Sequence, residues 1–307
     1  MKRHFLIAAA AITAMTAMAV ACNGGTQIGD GPDGPDPTVS AACNKVWEYL
    51  PAPGQFINEG MSCTTPEQAA QWAMGRLRTG SFVSLGTFGG YIVVGFDHSV
   101  ANSGGYDLLI KGNYIPTASE PGVVWVSRDE NGNGLPDDPW YELRGSEWGK
   151  PEVVQGYSVT YFRPTAVDDP VVWQDTLGGS GIIDVNEFHK GHSYFPVWIT
   201  EESYTLKGTL LPSNVVEVPP YWETRPYGWG YADNAGSDAP TGTSGASGQI
   251  GSFNRLRISD AVLPDGTPAN LPSIDFVKVQ SAILAMAGQL GEVSTDVCSI
   301  QDYNMLK

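Results

Sequence analysis

The chain has 307 residues, 42% of them hydrophobic and 16% charged, with 33 acidic against 17 basic side chains and a formal net charge of −16. So acidic a protein repels phosphate backbones and anionic lipid surfaces, which makes nucleic acid and bare membrane faces poor partners. Its 37 Gly and 22 Pro suit short strands joined by many turns.

Lys2 and Arg3 form a positive start, and Phe5 to Val20 is an Ala-rich apolar run. That run is shorter than the roughly 20 residues that cross a bilayer, so it reads as a secretory leader. The tetrad Ala19, Val20, Ala21, Cys22 resembles a bacterial lipobox, in which the Cys becomes the first mature residue and carries lipid such as palmitate. Leu is commoner at the place of Ala19, and the alternative is an ordinary cleaved signal with a chance cysteine. Residues 1–21 are thus the expected signal peptide. Losing them removes Lys2 and Arg3 but no acid, so the charge moves from −16 to −18. Residues 22–42, rich in Gly, Pro and Asp, are expected to be the lipidated Cys and a flexible tether. One domain is expected over 43–307. An exported chain permits disulfides, and Cys43 with Cys63 is the expected pair, Cys298 being the other choice.

Thr65 as N-cap, Pro66 at the first position and Gln68 at the capping-box position predict a helix ending near Gly80. From Phe82 the apolar period becomes two. Strands are predicted at Phe82 to Leu85, Tyr91 to Phe96, Tyr106 to Lys111, Val123 to Ser127, Trp140 to Leu143, Tyr157 to Arg163, Val171 to Trp173, Tyr204 to Leu211, Asn254 to Ile258 and Ile274 to Gln280. Their spacing points to an all-β fold, an antiparallel jelly-roll-like β-sandwich with one short N-terminal helix and long loops. Pro219 to Ile250 reads as one long, partly mobile loop.

The run Val83 to Asp97 (VSLGTFGGYIVVGFD) is followed by Tyr106 to Ile110, by Glu120 to Gly134, by Asp265 to Gln280 and by Leu290 to Thr295. In this order the segments resemble a family of Bacteroidota cell-surface lipoproteins with a jelly-roll domain. The resemblance covers most of residues 47–303, with Gly236 to Gly248 as the departure. Some relatives occur beside TonB-dependent receptors, including those for corrinoids. The resemblance therefore implies capture of an extracellular small molecule or glycan, with a TonB-dependent outer-membrane receptor as partner. It carries over no catalytic residue.

The strongest local pattern is Asp129 to Asp138, DENGNGLPDD. Side-chain oxygens fall at loop positions 1, 3, 5 and 9, with Gly134 at position 6, as in the first part of a calcium loop. Asp129, Asn131, Asn133, the Leu135 carbonyl, Asp137 and Asp138 are the candidate ligands of a structural Ca²⁺. Position 12 is Trp140, so this is not an EF-hand. The bland alternative is an Asn-Gly turn.

His189 and His192 lack the further ligands a zinc site needs. Asp97, His98 and Ser99 are sequence neighbours that face different ways on a strand, which argues against a triad. Asp107, Glu142, Glu147, Asp184, Glu187 and Asp275 are candidate glycosidase carboxylates by type alone. Tyr221, Trp222, Tyr227, Trp229 and Tyr231 form an aromatic group in a Pro/Gly-rich stretch and are the candidate ligand-binding residues, with core packing as the alternative. Trp140, Tyr141 and Trp148 are a second group for which packing is favoured.

The expectation is an outer-membrane lipoprotein, lipid-anchored at Cys22 and exposed at the cell surface, that binds a glycan or corrinoid without catalysis for uptake. A glycan-active hydrolase or lyase, and a structural or adhesive surface protein, are the alternatives.

Overall fold

The computed structural model describes residues 39–240 and 252–307. Cys22 and most of the expected tether lie outside the described residues. So does much of the Gly/Ser-rich stretch.

In chain order the described elements are β1 (Lys45–Leu50), α1 (Pro66–Arg78), β2 (Val83–Ser84), β3 (Tyr91–Ala101), β4 (Leu108–Lys111), β5 (Gly122–Ser127), β6 (Trp140–Leu143), β7 (Val154–Phe162), β8 (Val171–Asp175), β9 (Ser180–Ile183), β10 (Ser203–Leu210), β11 (Val215–Val218), β12 (Tyr221–Thr224), β13 (Phe253–Leu256), β14 (Ala261–Val262), β15 (Ser273–Ser281), β16 (Asp296–Val297) and β17 (Ser299–Asp302). With 37% strand and 9% helix, the class is all-β, as the sequence predicts, and it is consistent with a β-sandwich.

The six-stranded antiparallel sheet runs β1-β3-β15-β5-β6-β14. One of its faces meets α1 and the three-stranded sheet β13-β4-β17, burying Val94, Val124 and Val277 against Ile110, Leu256, Ile300, Ala73 and Leu77. Apolar area removed from water there supplies the main drive for folding, at ~25 cal/mol per Å². A four-stranded sheet, β10-β7-β8-β9, has its own core of Tyr157, Val159, Tyr161, Val171, Ile183 and Leu206 under Phe88 and Phe195. Along β7, Tyr157, Val159 and Tyr161 are buried while Ser158 and Thr160 are half-exposed, the period-two signature of a strand with one wet face. Gln280 ties the layers, donating from Nε2 to Gly89 O at 2.8 Å and to Lys207 O at 3.1 Å.

The helix begins where predicted. Thr65 Oγ1 accepts the Gln68 N–H at 3.3 Å, and Gln68 Oε1 accepts the Thr64 N–H at 2.8 Å. The chain leaves α1 through Gly80 at φ +67, a conformation that favours glycine.

Three expectations need correction. Pro219 to Ile250 is not one long loop: β11 and β12 pair as an antiparallel hairpin, with Val216 opposite Glu223. The valines of β11 and the Tyr-Trp of β12 supply β-propensity that outweighs the flanking prolines. The Cys43–Cys63 disulfide is not formed. Both are buried thiols in the main core, and burial pushes Cys43 up to about 12. Cys298 lies elsewhere, donating weakly to Gly112 O at 3.4 Å. Finally, the end of the expected tether belongs to the fold, because Ala41 O accepts the Asp302 N–H at 2.7 Å and Ala42 bridges Gln301.

Candidate ligand-binding site

β13 is an edge of the three-stranded sheet and β14 an edge of the six-stranded sheet, and residues 257–260 carry the chain from one to the other. At this crossing lies a cleft of about 240 Å³ lined by Tyr106, Arg144, Trp229, Asp238, Arg255 and Arg257, among others. Alternation along β13 explains part of it. Asn254 and Leu256 are buried, whereas Arg255 is half-buried and Arg257 exposed, so the two arginines share the outward side. Their guanidinium carbons sit 4.7 and 4.5 Å from the Tyr106 ring centroid, within cation–π range. Arg144, just past β6, adds a third guanidinium, with Nε 3.7 Å from Asp260 Oδ1.

Trp229 also lines the cleft and is 38% exposed. Its loop is fixed by hydrogen bonds. Ser146 N donates to Trp229 O at 2.9 Å, Gly228 N to Ser146 Oγ at 2.9 Å, and Gly230 N to Asp238 Oδ2 at 2.9 Å. Gly230 has φ +88, and a Cβ there would meet the Gly145 Cα at 2.5 Å. Gly145 in turn leaves room for the Tyr231 ring. These two glycines let the loop lie directly on the end of β6. Asp238 is buried, and burial holds its carboxyl above the usual range. Desolvation likewise raises Asp260, against the pull of Arg144 and Arg257.

Of the five aromatic candidates, the cleft takes only Trp229. Tyr231 is 2% exposed in a core cluster with Val123 and Ile283, and its hydroxyl accepts the Glu147 N–H at 3.0 Å. Tyr227 is half-buried beside it, ring centroids 5.6 Å apart, and donates its hydroxyl to Pro212 O. Tyr231 is thus a packing residue, since the loop folds back onto the sheet and buries its ring, while Tyr227 packs beside it outside the cleft. Trp222 lies over Gly288, and Tyr221 is exposed on the hairpin. The cleft residues that motif reading missed are Tyr106, Arg144, Arg255, Arg257, Asp238 and Asp260. A signal existed: Arg255 and Arg257 stand at period two within a predicted strand of a strongly acidic chain.

The Asp129 to Asp138 loop draws its oxygen-bearing side chains together. The Asp129 carboxylate accepts Asn133 N at 3.1 Å and Gly134 N at 2.9 Å. Asn131 and Asn133 direct their amides to Asp137, at 3.0 and 2.9 Å, and these bonds lower the Asp137 pKa. Asp138 Oδ2 accepts Glu130 N at 3.1 Å. Gly132 and Gly134, both at φ +72, make the turn.

A second cleft, about 230 Å³, is lined by Glu48, Tyr91, Val93, Pro136, Trp140 and Lys278 on the six-stranded sheet. Lys278 Nζ lies 5.5, 5.0 and 5.7 Å from the ring centroids of Tyr91, Trp125 and Trp140. Burial lowers its pKa, while Glu48 and Glu142 oppose that shift.

Under the sheets lie carboxyls that line neither cleft. Asp233 accepts from the Asn113, Tyr114 and Asp296 amides at 2.8, 2.9 and 3.0 Å. Asn113 Nδ2 donates to Asp296 Oδ2 at 2.6 Å. Burial pushes Asp233 and Glu292 up to about 7, and it also raises Glu120 and Asp296. Glu142, pushed up to about 7 by burial, accepts from the Thr209 hydroxyl.

The other candidates are dispersed. Asp107 is fully buried and anchors Ser103 and Ile258 backbone amides. Glu147 pairs with Lys150 at 2.8 Å, and Asp275 holds Ser99 and the Asp129 amide. Asp184 and Glu187 are exposed. His98 is clamped between Asp97 at 2.7 Å and Asp302 at 3.1 Å, so Ser99 has no imidazole to activate it. His189 packs edge-on against Phe56 while His192 Nε2 bonds Gln55 O at 2.7 Å. Among the described residues no group of three or more His, Cys, Asp and Glu is set to hold a metal ion.

No known protein family matches the chain, and no curated protein does.

Proposed function

We propose that the chain is an exported, lipid-anchored surface protein that binds an extracellular saccharide in the Trp229 cleft without chemical turnover. The observation that carries this reading is the cleft itself: an open site of about 240 Å³ lined by the exposed indole of Trp229 together with charged side chains. An indole face stacks on the apolar face of a sugar ring, while charged groups take up hydroxyls. Both carboxyls of the cleft are engaged, Asp238 by Gly230 and Asp260 by Arg144, which favours binding over hydrolysis. The leader and Cys22 support export and anchoring, and no described helix is long and apolar enough to cross a membrane. Delivery to a TonB-dependent receptor, and a jelly-roll winding of the sandwich, belong to the same reading.

By residue type the Asp129 loop offers the hard oxygens that Ca²⁺ prefers, though Asn131 and Asn133 would have to turn the amides they now direct at Asp137. Asp129, Asn131, Asn133, Asp137 and the Leu135 carbonyl would hold it, with Asp138 near. Its part would be structural, holding Pro136 and Trp140 at the rim of the second cleft.

Calorimetric titration of the full chain with a panel of oligosaccharides tests the binding reading. Binding that is lost in Trp229→Ala with unchanged folding supports it. Turnover of a bound glycan, or binding indifferent to Trp229, overturns it.

A further inference from the structure

We propose that the saccharide bound in the Trp229 cleft is acidic, its carboxylate or sulfate held by Arg255, Arg257 and Arg144. The inference rests on the binding reading above and names the ligand's chemistry.

Charge distribution comes first. The chain carries only nine arginines among 33 acidic residues, and three of them line this one cleft. Two acids face them, Asp238 and Asp260. Asp238 is buried beneath the loop and already satisfied by Gly230 N, with Asn254 Nδ2 at 3.4 Å. Asp260 meets Arg144 at a loose 3.7 Å. The cleft is thus a positive spot on a strongly negative molecule, and such a spot concentrates anions locally.

The donors come next. Arg255 Nε is spent on Asp238 O at 3.1 Å, which orients that guanidinium. Arg257 is exposed, and among the described residues neither a hydrogen bond nor an ion pair holds it. The Tyr106 ring at 4.5 Å and the field of Asp260 are what it faces. Tyr106 therefore works as a platform that parks two guanidiniums side by side with their forks still able to donate. A planar fork matches an oxyanion in bidentate fashion, which a lysine cannot reproduce. Trp229, in the same lining and 38% exposed, supplies an aromatic surface for the sugar that bears the anion.

The experiment titrates the full chain with oligogalacturonate, with its fully methyl-esterified form, with a carrageenan oligosaccharide, which bears sulfate but no carboxylate, and with neutral cello-oligosaccharide. The expected result is binding of an acidic oligosaccharide that weakens about tenfold or more on neutralisation and in Arg257→Gln, weakens as salt rises, and is only partly rescued by Arg257→Lys. The carboxylate and sulfate arms separate the two sources of the anion. Arg257 is exposed, so its replacement spares the core, and an unchanged unfolding midpoint verifies this. Equal binding of the esterified or neutral oligosaccharides, lost in Trp229→Ala but indifferent to Arg257→Gln, overturns the acidic preference while leaving the binding reading intact. Failure of every oligosaccharide to bind at millimolar concentration overturns both.

Discussion

Trp229 O accepts the Ser146 N–H at 2.9 Å, so the backbone that bears the exposed indole is pinned to a residue two positions beyond Arg144 and three beyond the end of β6. That backbone bond, with those of Gly228 and Gly230, holds Trp229 in the same cleft as Arg144.

That closeness depends on Gly230. Gly230→Ala is expected to destabilise the fold by ~1–3 kcal/mol, through both the φ of +88 and the collision with Gly145. Urea unfolding measures the loss, and tryptophan emission reports movement of Trp229. A variant as stable as the parent would mean the loop has another way to sit on β6.

Trp229 and Tyr231 should separate binding from folding. Trp229→Ala is expected to weaken saccharide affinity about tenfold or more with little change in stability. Tyr231→Phe leaves the Glu147 amide without its partner at a buried position, at a cost of ~1–3 kcal/mol, and affinity measured on the folded fraction stays unchanged. The opposite pattern would move the site away from Trp229.

Stability should fall as pH rises from 5 to 8. Asp233, Glu292 and Glu142 are pushed up to about 7 by burial, above the ordinary range of an unfolded carboxyl. Their contribution is complete below the unfolded pKa near 4 and is lost as pH climbs through the folded value. Glu120 and Asp296, also raised, act in the same direction. His189, lowered by burial, opposes them as a single group. Thermal midpoints across this range, with Asp296→Asn flattening the slope, check the sign.

Removing calcium should lower the unfolding temperature. A ligand at a hundred times its Kd adds ~2.7 kcal/mol, which for a domain of this size is several degrees. Scanning with and without a chelator measures it, and Asp129→Asn with Asp137→Asn should abolish the difference. A chelator without effect on the parent chain would leave the loop as a plain Asn-Gly turn.

Cys22→Ser should leave the protein unlabelled by palmitate and shift it from the membrane fraction to the soluble fraction. An unchanged membrane fraction would point to a different anchor.

The sequence made the class, the helix and most strands readable because each rests on local regularities: the Thr65 cap, the Pro66 start, the alternation along Tyr157 to Tyr161. Short edge elements such as β14, β16 and β17 escaped, since two to four residues hold too little period to detect. The cleft escaped for another reason. Tyr106, Arg144, Trp229 and Arg257 come from four distant segments, and only pairing of β13 with β4 and of β14 with β6 gathers them. Tyr231 and Trp229 look alike in sequence, two residues apart, yet one turns into the core and the other out to solvent.

The crossing from β13 to β14 has a consequence beyond recognition. Both are border strands of their sheets among the described residues, yet the chain's own turns cover them: Ala269 N donates to Ala261 O at 2.9 Å, Leu263 N to Thr267 O at 2.8 Å and Arg255 N to Asp238 O at 3.3 Å. An occupant seated on Arg255 to Asp260 would roof the seam where these borders meet. With the outer edges already covered, seating cargo there would leave unchanged any tendency of the molecule to pair edge-to-edge with its own copies.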